Sequence, residues 1–250
     1  MKRRLLVSLG AFLLLMPSGA SGTSIGVPIT YGGGAYLVGF EVESLEEQIG
    51  PETFRSIRYL GRVSMRVADP LIVSLRLGGS EIEVASDVHG RPTLFEGRPK
   101  LAIGLGAGFF QPLPKEGLGV FADAAALYTL SSGGTSFTTT IQSNTFHEEY
   151  ENRYRWIEYQ AGAGVRAGLP FGSAHVGVLG RAVDGAVWRE TSQGGAEVSA
   201  GREDFSRAIA LHALAGLEFR LPGRFSLSVG GNARSSDDFG WMVSVSEASR

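Results

Sequence analysis

Apolar and polar residues alternate one by one through ten separate runs of this chain. A period of two puts neighbouring side chains on opposite faces of a β-strand. The first run sets Tyr36, Val38, Phe40 and Val42 against Leu37, Gly39, Glu41 and Glu43. The second sets Ile57, Tyr59, Gly61, Val63, Met65 and Val67 against Arg58, Leu60, Arg62, Ser64 and Arg66. A helix would scatter those arginines around its axis, whereas a strand gathers them on one face. A turn, Ala68-Asp69-Pro70, leads to Leu71, Val73, Leu75 and Leu77, backed by Ser74 and Arg76. Ile82 and Val84 fall on the opposite parity, so a β-bulge is expected at Gly78-Gly79.

The remaining runs repeat the pattern around 101–109, 120–128, 158–169, 175–181, 209–221, 225–229 and 241–245. The eighth is the clearest. Ile209, Leu211, Ala213, Ala215, Leu217, Phe219 and Leu221 share one face, and His212, Gly216, Glu218 and Arg220 share the other. Connections alternate in length. Short ones fall near 68–70, 111–117, 170–173 and 222–223; longer polar ones fall near 45–56, 85–99, 131–153, 189–206 and 232–239. Several runs approach the 9–11 residues that a tilted strand needs to cross a bilayer. Aromatics gather near run ends and read as interfacial girdles: Tyr31, Tyr36, Tyr59, Phe109, Phe110, Tyr128, Tyr154, Trp156, Phe171, Trp188, Phe219, Phe225, Phe239 and Trp241.

The amino-terminal segment departs from this pattern. Lys2, Arg3 and Arg4 precede an apolar stretch from Leu5 to Met16, then Pro17 and small residues. That is the layout of a secretory signal peptide over residues 1–22, with cleavage near Ala20 or Gly22, leaving a single domain over 23–250. The stretch is too short for a membrane helix, which needs about 20 apolar residues. The net charge of −2 becomes −5 once the three leading basic residues are removed, which is no nucleic-acid footprint. There is no cysteine, so an exported fold must be held without disulfides. The 36 glycines suit a crowded β-interior and suit helices badly.

Over roughly residues 31–246 the strand pattern and turn rhythm resemble those of small bacterial outer-membrane β-barrel proteins. The resemblance implies an antiparallel up-and-down transmembrane β-barrel of about ten strands, with short periplasmic turns, long outer loops and both termini in the periplasm. It also implies outer-membrane lipid and the outer-membrane assembly machinery as partners. Family members usually close on an aromatic residue that the machinery reads. Here the last residues are Ser246-Glu247-Ala248-Ser249-Arg250, so either that signal lies further in, around Trp241, or this chain is read differently.

If the apolar face meets lipid, the other face lines the lumen. It carries Glu41, Glu43, Asp123, Glu158 and Glu218, with Arg58, Arg62, Arg66, Arg76, Arg166, Arg181, Arg220 and Arg224. Barrels near this size are commonly filled by side chains. The expected state is a lumen plugged by ion pairs, with function in the outer loops. The excess of arginine supports a second reading, a narrow anion-preferring pore. Period alone does not distinguish inward from outward, so a third is a soluble exported β-barrel enclosing an apolar ligand.

A fourth reading is a hydrolase at the outer rim. It would use His147 in the loop Phe146-His147-Glu148-Glu149-Tyr150-Glu151, if Asp204 or Asp238 converges on it. His89, His147, His175 and His212 are scattered singly and make no zinc set. Gly104-Leu105-Gly106-Ala107-Gly108 lacks phosphate-loop spacing, and its glycines are better explained by a crowded lumen; no cofactor motif appears. The Ser131–Thr140 stretch begins as a flexible linker and ends β-prone, so residues 138–159 can extend a hairpin above the membrane and offer a surface to an extracellular ligand.

Overall fold

The structure, a computed structural model, describes residues 36–49, 52–88, 91–115, 117–141, 144–194, 196–235 and 238–248. The expected signal segment, Tyr31 and His89 lie outside these residues. The described chain forms ten strands: β1 (Tyr36–Ile49), β2 (Glu52–Ala68), β3 (Leu71–Val88), β4 (Arg91–Pro112), β5 (Leu118–Ile141), β6 (Asn144–Leu169), β7 (Gly172–Gln193), β8 (Ala196–Arg220), β9 (Phe225–Ser235) and β10 (Asp238–Ala248). Each pairs antiparallel with its chain neighbours, and β1 pairs with β10 to close the barrel. Closure matters because every strand then has a paired neighbour on each side, the condition for a sheet to span a bilayer. The β1–β2 pairing is confined to Tyr36 with Met65 and to Glu47–Ile49 with Glu52–Phe54, and β8 runs past β9 above Ala213.

Register fixes the two faces. β1 and β10 align Phe40 with Val245 and Val42 with Val243, while β2 and β3 align Val63 with Leu75 and Arg62 with Arg76. Apolar side chains therefore sit beside apolar ones outside, and charged beside charged inside. Leu75 is 45% exposed, Leu105 65% and Ile209 75%, whereas Glu41 and Arg58 are fully buried. The turns at Asp69-Pro70, between Pro112 and Leu118, at Pro170-Phe171 and at 221–224 lie at one end, together with the start of β1 and the end of β10, since Leu37 pairs with Ala248. Gly223 takes a positive φ of 84° in the fourth turn. Inside, a Cβ at Gly104 would come within 2.7 Å of the Leu127 side chain, and one at Gly106 within 2.7 Å of Ser74 Oγ. These glycines face a filled interior.

At the other end the structure differs from the expected long loops. The segments near 45–56, 85–99, 131–153, 189–206 and 232–239 are mostly strand, and β5, β6 and β8 run to 24, 26 and 25 residues. The expected membrane strand length is only the lower part of each. In β6, the upper residues 144–156 add roughly 40 Å of strand, at about 3.3 Å per residue.

Across this upper part the alternation continues with its sense inverted. Below, β6 points Ile157, Tyr159, Ala161 and Val165 outward; above, it points Glu149, Glu151, Arg153 and Arg155 outward and buries Tyr154 and Trp156. That inversion accounts for Ile82 and Val84. The β2–β3 register passes through Gly78 and Gly79 without a shift, so the expected bulge there is absent. Ile82 and Val84 simply continue the inward face, and the apolar residues change side. The β3–β4 register does shift, between Ser80 and Val84. Tyr154 and Trp156 are likewise not girdle residues. They lie at 2% and 1% exposure in an inner cluster with Ile49, Phe54, Ile82, Val84, Phe95, Val183 and Val187. Tyr36, Tyr59, Phe109, Phe171 and Phe225 do face outward.

Candidate functional site in the lumen

The inward positions of the lower barrel bring charged residues together from strands on opposite sides of the ring. β1 contributes Glu41, Glu43 and Glu47, which fall on one face because they are spaced by two and by four. β2 adds Arg58 and Arg62, and β3 adds Arg76. Arg62 pairs with Glu41, and Arg76 reaches the same carboxylate at 3.3 Å and Glu43 at 3.8 Å. Arg58 lies 3.6 Å from Glu43 and extends across the barrel to donate to Glu158 of β6 at 2.6 Å. Arg181 of β7 holds the other oxygen of Glu158 at 3.2 Å and also pairs with Glu47. Gln160 donates to the same Glu158 oxygen. Arg207 of β8 links Glu47 to Asp238 of β10, and His212 Nε2 lies 3.8 Å from that aspartate.

The result is one connected set of five inward arginines (58, 62, 76, 181 and 207) and five carboxylates (41, 43, 47, 158 and 238), with the exposed Arg234 joining it at the edge, 3.9 Å from Asp238. Bare charges in such a place would be prohibitive, and mutual pairing is what makes their burial tolerable. Directly above, the inner aromatic cluster covers the set. Phe54 packs against Tyr154, Trp156 and Phe205 with centroid separations of 5.9, 5.7 and 5.4 Å. A second, smaller pair sits nearer the short-turn end, where Arg166 donates to Glu218 at 2.7 Å and to Ser173 at 2.8 Å.

A ring closed on itself, apolar outside and ionic within, has one solvent to suit it: hydrocarbon around the outside. The molecule is a transmembrane β-barrel of the outer-membrane type. No protein-family model matches its sequence. No curated protein matches it either. Among solved structures, it is similar to the translocator domain of the autotransporter NalP from Neisseria meningitidis, with 11% identity, 100% of this chain and 97% of that one covered, and a TM-score of 0.46. It is also similar to the transport unit of the autotransporter AIDA-I from Escherichia coli, with 8% identity, coverage of 96% and 98%, and a TM-score of 0.44. CdiB from Acinetobacter baumannii matches at 9% identity over 86% of this chain and 60% of that one, with a TM-score of 0.20. The assignment as a barrel rests on its own two faces and its closure.

Of the residues that sequence parity directs into the lumen of this barrel, Glu41, Glu43, Arg58, Arg62, Arg76, Glu158, Arg166, Arg181 and Glu218 are buried there. Asp123 also faces inward, beside Gly162, and is less enclosed. Arg66 lies at the short-turn mouth, pairing with Asp69 at 3.2 Å. Arg220 and Arg224 are exposed at the β8–β9 turn, outside the ionic set. The connected members missed by sequence reasoning are Glu47 and Asp238, in segments read as loops, and Arg207, between the 189–206 connection and the eighth run. With them, the inward members of the ionic set are balanced five to five, without the excess of arginine that favoured an anion pore; the exposed Arg234 stands outside that count.

The rim constellation does not assemble. His147 contacts Thr138 Oγ1 and Glu149, both at 3.3 Å, while Asp204 is held by Arg202 and Asp238 lies within the barrel beside Arg207. The soluble-barrel arrangement, apolar residues inward, describes the upper part only.

Proposed function

We propose that this protein is a closed, non-conducting outer-membrane barrel that presents a rigid β-walled structure outside the cell for surface interaction. The observation that carries the reading is Glu158 of β6, which is fully buried and joins Arg58 of β2 to Arg181 of β7 across the lumen. That crossing, with a guanidinium on each side of Glu158, supports a lumen filled by side chains. The aromatic cluster above it forms a second, apolar seal. In this orientation the short turns and the paired ends of β1 and β10 face the periplasm, as export through a signal peptide over residues 1–22 would require. The upper walls of β5 to β8 face the exterior, where a stiff surface holds recognition groups in place without the entropy cost of ordering a loop.

The test is purified protein in a planar lipid bilayer. The sealed lumen predicts no stable unitary current with the wild-type chain. Steady anion-selective steps, reduced in Arg62→Glu, would overturn the proposal and support the pore.

A further inference from the structure

The outer wall carries a feature that the sealed lumen does not use. On β7, Trp188 points outward above the apolar belt and is half-buried. Register places Arg153 of β6 and Arg202 of β8 directly beside it. Two guanidiniums lie over its ring, that of Arg155 at 5.2 Å and that of Arg202 at 5.3 Å from the centroid. Both arginines are exposed. Arg202 is also held by Asp204 at 2.7 and 3.0 Å. Arg155 pairs with no carboxylate among the described residues, so its stacking on Trp188 leaves its donors directed at solvent.

Position gives the site its meaning. Arg155 is the next outward residue above Ile157, which pairs with Tyr128 of β5 and Asp184 of β7. Ile157 and Tyr128 belong to the upper edge of the belt. Arg155 and Arg202 line a recess of about 440 Å³ whose floor includes Tyr128, Ile157 and Ala186. Its wall also includes Asp184 and Asp204. The recess therefore opens where hydrocarbon gives way to headgroups, the level at which tryptophan and arginine partition in membranes. A ligand suited to it has acyl chains to follow the belt, an anion for Arg155 and Arg202, and hydroxyl or amine donors for the two aspartates. Guanidinium is the group best matched to phosphate oxygens.

We infer that Arg155, Trp188 and Arg202 form a binding site for the phosphate of an outer-leaflet lipid headgroup. The site rests on the membrane reading above and adds a specific lipid contact to it. Bound lipid would brace the outer wall across β6, β7 and β8 at the height where the alternation inverts. Trp188 orients the two cations, and the phosphate completes the donor set of Arg155.

The test uses the full-length barrel folded into vesicles of phosphatidylcholine with phosphatidic acid as the phosphomonoester probe. The lipids that remain on the released protein are counted by native mass spectrometry. The site predicts that wild-type protein retains phosphatidic acid over phosphatidylcholine by about tenfold, as two partly exposed charge contacts together would supply. The Arg155→Gln/Arg202→Gln variant is expected to retain the two lipids equally. Its exposed substitutions leave the ionic lumen untouched, and an unchanged gel shift on heating verifies its fold. Equal retention by the wild type, or enrichment that survives in the double variant, overturns the site. Loss of the enrichment when inorganic phosphate is added at matched concentration overturns the lipid as its ligand. Failure of the wild-type chain to insert into phosphatidylcholine vesicles at all overturns the membrane reading; insertion without lipid preference overturns this site alone.

Discussion

The lower and upper parts of the same barrel wall are built to opposite rules. Below, β2 turns Tyr59, Val63 and Met65 to the outside and Arg58 and Arg62 to the inside; above, it turns Arg55 outward and Phe54 inward. No strand breaks at the change, and hydrogen bonding continues across it. Only the solvent changes. Hydrocarbon outside favours apolar side chains there and leaves charge to be paired within, whereas water outside favours the arrangement of any soluble β-domain. One period of alternation thus serves both regions, and the identity of the residues at each parity marks the height of the membrane surface.

The comparison can be broken most forcefully in the lower part. Glu158→Ala leaves Arg58 and Arg181 buried without their shared carboxylate. It should lower stability by about 3–5 kcal/mol in reversible urea unfolding from lipid vesicles. Because the contact ties β2 to β6 and β7, the loss should be global. A double replacement, Arg58→Met with Glu158→Leu, should lose less than the two single changes combined, since it removes one of the charges left stranded.

In the upper part the cost should be similar in size but local. Trp156→Ala removes a ring packed on Phe54 and Phe205, worth about 3–5 kcal/mol for a buried aromatic. Hydrogen exchange should accelerate in the upper halves of β2, β6 and β8, while amides alongside the apolar belt stay protected. Uniform acceleration would mean that the two parts unfold as one.

The outer surface sharpens the contrast at smaller magnitude. Val63→Arg, facing hydrocarbon, should destabilise by about 2–4 kcal/mol. Ser136→Arg, at an exposed position high on β5, should stay within about 0.5 kcal/mol. Smallest of all, Arg153→Ala breaks exposed pairs with Glu151 and Glu190 and should cost about 1 kcal/mol or less, falling further with added salt.

The lower barrel was legible because alternation, turn placement and arginine segregation all sorted the residues into the same two faces, while which face meets lipid came only with ring closure. Parity reports the face, however, and says nothing about height. Arg220 has lumen parity yet sits at the turn end, where there is no lumen to enter. Glu47 and Asp238 stood in polar segments that read as loops, because high charge hid the alternation. In β6, Asn152, Tyr154 and Trp156 alternate with Glu151, Arg153 and Arg155 as regularly as the belt below them. The signal for the upper wall was therefore present in the sequence, with its apolar set on the unexpected parity. Ile82 and Val84 gave the same signal, and continuation of the strand explains them better than a bulge does. The cross-lumen contacts were not legible, because pairing of β2 with β6 depends on ring closure rather than on neighbouring register.

The inversion itself is open to direct measurement. The chain has no cysteine, so single labels can be introduced without background. Nitroxides at Leu105→Cys and Val176→Cys in the belt, and at Ser136→Cys and Glu149→Cys above it, can be compared in liposomes for collision with oxygen and with a water-soluble nickel chelate. The account predicts that the belt labels meet oxygen and exclude the chelate, and that the upper labels do the reverse. Equal access to the chelate at all four positions would contradict it.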